Sequence, residues 1–408
     1  MMYEKLALLS VFVLIYSSVG GGVERSPVSG PIVFTAFGLL VGPLGLGLLA
    51  LEVNRELIQI LAELTLALVL FTDAAEADLG VLRKGWALPT RLLLLGLPLT
   101  ILLGFGVGLM LFKELSIFEV ALLATMLAPT DAALGKGVVT NPVVPDGVRQ
   151  GLNVESGLND GICVPILFVF LALALGHGGD QSTSSLVFSF LAEEIGIGVV
   201  TGLALTTGSA WLLRLCHRRQ WISHTWIQLP VVGLAVGCFA TAQVLGGSGF
   251  IAAFVGGLLF GVLLKDHREA LLRAAEGTGD TFALLTWVLF GAAVVSRAYQ
   301  YFSWSIVLYA VLSLTLIRML PVFISLAGFG VSIEGKLFLG WFGPRGLASI
   351  VFGVIVLQAN LPNSLALAQV VVWTVILSIL LHGVTANRWA RGYGRRWQMA
   401  KSGAGDED

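Results

Sequence analysis

Long apolar segments alternate with short polar connections along almost the whole chain. A helix needs about 20 apolar residues to cross the hydrocarbon core of a bilayer, and thirteen segments approach or exceed that length. We predict membrane-spanning helices at 3–19, 28–49, 57–75, 86–112, 116–135, 152–175, 186–212, 227–244, 248–264, 281–296, 304–329, 337–357 and 363–385. The pattern therefore predicts an all-α polytopic membrane protein, because no connection is long enough to form a soluble domain.

The composition agrees with lipid as the solvent. Hydrophobic residues make up 56% of the 408 residues, and charged residues only 12%, whereas soluble domains carry about 25% charged residues. The net charge of −1 provides no basic surface for nucleic acid. The three cysteines are widely spaced and form no metal-binding pattern. Nucleic acid is thereby excluded as a partner, and membrane lipid is the expected environment.

The distribution of basic residues predicts the orientation. With thirteen spans, 17 of the 24 lysines and arginines fall on the side of the C-terminus, four fall on the other side, and three lie within spans. Cytoplasmic loops are enriched in lysine and arginine, so we expect a cytoplasmic C-terminus and an external N-terminus. No cleavage pattern follows the first apolar segment, so it is predicted to be a retained span. The cell membrane is the expected location.

Two pairs of segments suggest an internal repeat. Ser-Gly opens a glycine-rich span at 29–30 and again at 248–249, seven spans later. Pro-Thr-Asp at 129–131 interrupts span 5, and Gly-Pro-Arg-Gly at 343–346 interrupts span 12, also seven spans later. An odd number of spans inverts the orientation of the second copy. Inverted repeats with interrupted helices at matching positions are typical of secondary transporters, whose sites lie at the bilayer midplane.

Charged and polar side chains inside the predicted spans are few and concentrated. Such residues are costly in a bilayer and are candidates for function by default. The main candidates are Glu119 and Asp131 in span 5, Glu155, Ser156, Asn159 and Asp160 in span 6, Arg318 in span 11 and Arg345 in span 12.

The break in span 5 and the polar face of span 6 predict a cation site. Pro129 disturbs the preceding helical turn, so freed carbonyls must face protein or a water cavity. The i,i+4 spacing within 155–160 places its four polar residues on one side of the helix. Oxygens from Thr130, Asp131 and that face would suit a hard cation, not a soft transition metal. The excess carboxylate charge requires a buried cation, and arginine can grip a carboxylate in bidentate fashion. Arg318 and Arg345 are both available.

These motifs resemble the monovalent cation:proton antiporter-1 family of sodium/proton exchangers. The resemblance is carried by Ala-Pro-Thr-Asp at 128–131 and Glu-Ser-Gly-Leu-Asn-Asp-Gly at 155–161. Phe-Thr-Asp-Ala-Ala at 71–75 and Gly-Pro-Arg-Gly at 343–346 fit the same pattern, and the resemblance covers about 6–385. It implies a thirteen-helix antiporter fold in which spans 5 and 12 are unwound and cross, and it implies a homodimer.

The resemblance also implies a division into domains. Dimerisation helices are expected at 1–80, with core transport helices at 81–178. A linker and further dimerisation helices are expected at 179–300, core helices again at 301–386, and a short cytoplasmic tail at 387–408.

By the same resemblance, Asp160 is the essential carrier of sodium or a proton. The remaining roles are Asp131, the Thr130 carbonyl and Ser156 as further sodium ligands, Glu155 and Asn159 as residues that shape the site, Arg318 as the partner of Glu155, and Arg345 as a support of the unwound stretch.

The function implied is secondary active exchange of Na⁺, or Li⁺ as a surrogate, for H⁺ in pH homeostasis. The pair at 159–160 is Asn-Asp, which resembles the electroneutral branch of the superfamily. A charge argument agrees, because one Na⁺ or one H⁺ on Asp160 gives the same net charge. We expect no enzymatic activity and no cofactor, since Na⁺ and H⁺ are substrates.

Three alternatives stay open on sequence alone. Potassium could replace sodium in the same fold. An ion channel would need a continuous polar path, and an intramembrane aspartyl protease could use Asp131 with Asp160. Two further acidic residues are interpreted only broadly: Asp73 as a solvated helix end or part of a cytoplasmic funnel, and Glu63 as a contact to a partner subunit.

Overall fold

The regular secondary structure of the described residues is helical. The computed structural model describes residues 2–26, 28–49, 55–77, 87–131, 134, 138, 142–176, 181–223, 226–265 and 268–403. The helices are α1 Met2–Arg25, α2 Gly30–Val41, α3 Arg55–Glu76, α4 Ala87–Leu111, α5 Ile117–Met126, α6 Asp146–Gly176, α7 Gln181–Arg218, α8 Pro230–Val244, α9 Gly249–Leu263, α10 Arg268–Leu289, α11 Trp304–Ser325, α12 Ile333–Trp341, α13 Leu347–Gln358 and α14 Ser364–Gly403.

Every predicted span overlaps one of these helices, with span 12 divided between α12 and α13. Seven helices are long and apolar enough to cross a membrane, and five more are apolar but shorter. The all-α polytopic class is confirmed, while the number of thirteen crossings stays a prediction. Residues 78–86, which join predicted spans 3 and 4, lie outside the described residues.

Several helix ends differ from the predicted ones, because hydropathy marks the apolar part of a helix and not its hydrogen-bonded ends. α10 begins at Arg268 instead of 281, so polar turns precede its apolar part. α14 continues to Gly403 through the arginine-rich segment that was predicted to leave the membrane as a tail. α2 ends at Val41 instead of 49.

One group of helices packs through glycines. α9 lies directly on α3, where a Cβ at Gly257 would come within 2.3 Å of the Phe71 carbonyl oxygen. At Gly261 the same construction meets the Ala75 carbonyl oxygen at 2.4 Å. Small residues of this kind let two membrane helices approach backbone to backbone. α7, α8 and α10 complete this group around α3 and α9.

A second group contains α4, α5, α6, α11, α13 and α14. Two of its chain segments are not helical. α5 stops at Met126, and residues 127–131 continue without helix, while 342–346 separate α12 from α13. α3 joins the two groups, because it packs against both α6 and α13. The candidate site lies where the two non-helical segments meet α6.

Candidate ion site

The two interrupted segments contact each other through their backbones. The Asp131 amide donates to the Pro344 carbonyl oxygen at 2.8 Å, and the Leu347 amide donates to Asp131 Oδ2, also at 2.8 Å. Leu347 is the first residue of α13, so the Asp131 carboxylate caps the positive end of that helix. Gly346 makes this approach possible, since a Cβ there would lie 1.8 Å from Asp131 Oδ2.

The carbonyls freed by the break in span 5 find specific donors. Arg345 Nη1 donates to the carbonyl oxygens of Ala128 at 2.9 Å and Pro129 at 3.1 Å. The Ser349 hydroxyl donates to the Met126 carbonyl oxygen at 2.8 Å. Buried carbonyls need partners, and here Arg345 of the second broken segment and Ser349 of α13 supply them. Arg345 therefore spans the break and holds it against α13.

Thr130 is held by α6 at three atoms. Its amide donates to Asn159 Oδ1 at 3.2 Å, and Asn159 Nδ2 donates to its hydroxyl at 2.7 Å. The Ser156 hydroxyl donates to the Thr130 carbonyl oxygen. Asn159 thus fixes the orientation of Thr130, and the Thr130 and Ser156 oxygens are in contact at the polar face of α6.

Glu155 and Arg318 form a bidentate ion pair with both N–O distances at 2.7 Å. Both side chains are 1% exposed. The sequence offered both Arg318 and Arg345 as partners of a buried carboxylate. In the structure, Arg318 is the arginine that pairs with Glu155. The pair neutralises one buried carboxylate of α6, so Glu155 does not add charge to the site.

Asp160 has a different environment on the same helix. It is 6% exposed, and its Oδ1 has no hydrogen-bond partner among the described residues. The charges of Asp131, Asp73 and Arg345 act on it. A buried carboxylate oxygen without a partner costs free energy, so Oδ1 is the atom of this site that most needs a cation or a proton.

Asp73 lies beside the site, although the sequence did not assign it there. A Cβ at Gly157 would lie 3.2 Å from Asp73 Cβ, so α3 brings Asp73 against α6 one residue after Ser156. The charges of Asp131 and Asp160 interact with that of Asp73. The available signal was its place in the motif at 71–75; only the packing of α3 on α6 shows that it lies next to the polar face of α6.

Two other predicted candidates lie in structural contacts. Glu119 is 3% exposed and forms a capping box with Ser116 at the start of α5. Its carboxylate also accepts from the Asn363 amide at 3.1 Å and from Asn363 Nδ2 at 3.0 Å. Glu63 accepts from Gln59 Nε2 at 2.6 Å, within α3. Neither contact involves the ion site.

A sequence profile of known families decides the family of the chain. The profile described as "Sodium/hydrogen exchanger, transmembrane" matches residues 8–392. The chain belongs to this family. The family consists of transporters and not enzymes, so the predicted family and the predicted absence of enzymatic activity are confirmed.

Relatives of this exchanger family carry different cations in their names. A K⁺/H⁺ antiporter NhaP2 of Shewanella oneidensis is 24% identical over 368 residues, which is 88% of this chain and 62% of that protein. A Na⁺/H⁺ antiporter of Schizosaccharomyces pombe is 23% identical over 263 residues, covering 60% of this chain and 55% of that protein. The chain thus spans less than two thirds of the length of these relatives.

A solved structure shares the fold. The sodium proton antiporter MjNhaP1 from Methanocaldococcus jannaschii, solved at pH 8, superposes with a TM-score of 0.76. The match covers 95% of this chain and 99% of that one, at 22% sequence identity. This likeness confirms the antiporter fold predicted from the motifs.

Proposed function

We propose that this exchanger-family protein exchanges Na⁺, or Li⁺, for H⁺ across the membrane, with Asp160 as the shared carrier. The observation that carries the proposal is the buried Asp160 Oδ1, which has no hydrogen-bond partner among the described residues. A proton or a desolvated cation would satisfy that oxygen. Because both bind the same atom, each excludes the other, and this competition couples the two fluxes.

Neutral oxygens beside Asp160 supply the remaining ligands in this proposal. The Thr130 carbonyl and the Ser156 hydroxyl already touch each other, and a cation would insert between them and Asp160. Asp131 would lie across the site and contribute charge, while its Oδ2 stays on the α13 amide at Leu347. Hard oxygen ligands of this type suit an alkali cation.

The charge balance supports electroneutral exchange. Glu155 is neutralised by Arg318, and Arg345 adds a positive charge near Asp160. One Na⁺ or one H⁺ on Asp160 then gives the same total charge. The empty site keeps an uncompensated buried carboxylate, which is costly to move through the bilayer. We propose that only loaded states cross, by movement of the core helices against the others.

A K⁺/H⁺ exchanger of the same fold is the second candidate. The relatives in Shewanella and Alkalimonas carry K⁺/H⁺ antiporter as their names. Sodium and potassium differ in the ligand distances they need, and Thr130 lies in a non-helical segment, whose carbonyl position is not fixed by helical hydrogen bonds. The same experiment therefore determines which cation is transported.

Proteoliposomes with an imposed pH gradient test the proposal. A fluorescent dye follows the gradient while Na⁺, K⁺ or Li⁺ is added, for wild type, Asp160→Asn and Asp146→Asn. Asp146 lies on the same helix at its exposed end and pairs with Arg149, so it controls for a lost carboxylate. We expect Na⁺ to collapse the gradient in wild type and Asp146→Asn but not in Asp160→Asn.

Each other outcome is informative. If only K⁺ collapses the gradient, potassium and not sodium is the transported cation, and the assignment of Asp160 as the carrier is unaffected. Full exchange by Asp160→Asn would refute the carrier assignment. No response of the wild type to any of the three cations would refute alkali-cation exchange.

A further inference from the structure

Ser378 and His382 lie one turn apart on α14 and face the break between α12 and α13. Ser378 is fully buried and His382 is 1% exposed. Neither residue touches the oxygens proposed as cation ligands. A buried histidine with polar contacts on both ring nitrogens is unusual inside a membrane protein, where ionisable groups tend to be functional.

The hydrogen bonds of His382 assign its proton. Nε2 lies 2.8 Å from the Trp341 carbonyl oxygen, which can only accept, so Nε2 carries the hydrogen. Nδ1 lies 3.3 Å from the Ser378 hydroxyl and 3.0 Å from the Ser378 carbonyl oxygen. The opposite tautomer would donate to that carbonyl but would set the Nε2 lone pair against Trp341. The tautomer protonated on Nε2 leaves Nδ1 as an acceptor for the Ser378 hydroxyl.

Ser378 extends this series of hydrogen bonds to the break between α12 and α13. Its hydroxyl oxygen accepts the Arg345 amide at 2.7 Å, so its single hydrogen is available for His382 Nδ1. The sequence of bonds runs from the Arg345 amide through Ser378 and His382 to the Trp341 carbonyl. Each hydrogen of this series of bonds has an acceptor while the imidazole is neutral, and the charged groups that act on it, Arg345 and Arg318, are both cationic.

The bonds hold both sides of one interruption. Trp341 is the last residue of α12, and Arg345 lies just before α13. The Trp341 ring also packs against the His382 ring at 5.0 Å, and its Nε1 donates to the Thr385 hydroxyl at 3.0 Å. α14 therefore fixes where the non-helical segment 342–346 lies.

That segment in turn orients the break in span 5. The Arg345 guanidinium binds the Ala128 and Pro129 carbonyls, and the Pro344 carbonyl accepts the Asp131 amide. A shift of 342–346 would move the backbone on either side of Thr130. We propose that Ser378 and His382 form a positioning clamp for the cation site, acting through the second broken segment. The link to transport rests on the proposed cation exchange, whereas the clamp itself does not.

Hydrogen–deuterium exchange tests the clamp independently of transport. The peptide containing 342–347 is compared in wild type, Ser378→Ala, His382→Leu, His382→Gln and Thr374→Val. Thr374 is the matched control, because it is fully buried one turn earlier on α14 and its hydroxyl bonds only within the helix, to the Val370 carbonyl at 2.7 Å. We expect faster exchange in Ser378→Ala and His382→Leu, and wild-type exchange in Thr374→Val. Glutamine can still donate to Trp341, so His382→Gln should fall between.

Cation-dependent transport by the same variants tests the positioning role. We expect the apparent KM for the cation to rise about fivefold or more in Ser378→Ala and His382→Leu, since each loses a buried hydrogen bond of the site's support. The maximal rate should change less, and His382→Gln should recover part of the KM. A residue that only stabilises the fold would reduce the amount of folded protein without shifting KM.

The outcomes separate the two ideas. Unchanged exchange of 342–347 in both Ser378→Ala and His382→Leu would refute the clamp. Faster exchange with an unchanged KM would refute its positioning role. A wild type that transports no alkali cation would refute the proposed function and leave the clamp to be judged by deuterium exchange. If His382→Leu does not fold, Ser378→Ala and His382→Gln decide.

Discussion

Two buried carboxylates on α6 lie little more than one turn apart and have opposite environments. Glu155 is fully paired in a bidentate bond to Arg318. Asp160 has an oxygen without a partner among the described residues. A carboxylate held by a permanent ion pair needs no further ligand, whereas an unpaired buried carboxylate is stabilised by binding a cation or a proton. The first therefore belongs to the support of the site, and the second to its chemistry.

Removal of Arg318 alone should be strongly destabilising. Arg318→Met leaves Glu155 charged, buried and unpaired, and breaking such a pair costs about 3–5 kcal/mol. The double variant Arg318→Met/Glu155→Leu removes both charges and should recover much of the loss. Thermal unfolding in detergent measures the difference. Equal melting temperatures for the single and double variants would show that the ion pair is not what stabilises this contact.

Asp73 should strengthen cation binding through its charge. Asp73→Asn is expected to raise the apparent KM for the cation severalfold, because a carboxylate close to the site attracts a cation. Glu63→Gln is the control, because Glu63 lies on the same helix but bonds to Gln59. The measurement is exchange rate against cation concentration. A KM equal to wild type in Asp73→Asn would remove Asp73 from the site.

At the scale of elements, the two interruptions are built to fit each other. Gly346→Ala places a methyl group where Asp131 Oδ2 lies, so the carboxylate must leave the Leu347 amide. We expect exchange to be largely lost. Gly353→Ala within α13 is the control, since its nearest neighbour, Val371, is at an ordinary 3.6 Å. Transport assays with equal amounts of folded protein compare them; wild-type exchange in Gly346→Ala would show that this close approach is dispensable.

The contact of α3 with α9 should depend on glycine in the same way. Gly257→Ala directs a methyl group at the Phe71 carbonyl, and overpacking of this kind costs about 1–3 kcal/mol. Gly237→Ala on α8 meets nothing within 4 Å and should be neutral or slightly stabilising, because alanine favours helix. Melting temperatures in detergent test both. An unchanged value for Gly257→Ala would mean that the helices can separate without cost.

The existence of the helices could be predicted, but several of their ends could not. The start of α10 at Arg268 and the extension of α14 to Gly403 lie in polar sequence. Backbone hydrogen bonds continue there, although no apolar signal marks them. The breaks were predictable, since Pro129 and the glycines at 343 and 346 disfavour helix locally.

At the scale of the whole molecule, the charge balance predicts that the rate of exchange does not depend on the membrane potential. If one Na⁺ replaces one H⁺ on Asp160, no net charge crosses in a cycle. Proteoliposomes with potassium and valinomycin can be set to potentials of opposite sign. We expect equal rates of sodium-driven proton movement at both. A rate that follows the sign of the potential would require a different stoichiometry.

The orientation, the homodimer and the domain boundaries also belong to this scale and stay predictions. Orientation rests on the lysine and arginine count, and the dimer on the resemblance to the family. The described packing shows one group of helices around α3 and α9, and another around α5, α6 and α14.

The sequence by itself determined the membrane class, the antiporter family and the short set of candidate residues. Each of these follows from local information: apolar length, the rarity of charges within spans, and motifs that lie within a few residues. The interruption of the helix at 127–131 also follows from local sequence, because Pro129 cannot donate a backbone hydrogen bond.

Only the tertiary structure decided which candidates meet and which oxygens are left over. Arg318 could pair with Glu155 because α11 passes α6, and Asp73 joined the site because α3 packs on Gly157. The clamp of Ser378 and His382 has no motif at all, since its partners are backbone atoms more than thirty residues away. Such contacts depend on how helices that are distant in sequence pack against each other. A pattern of residues along the chain does not specify which helices become neighbours in space.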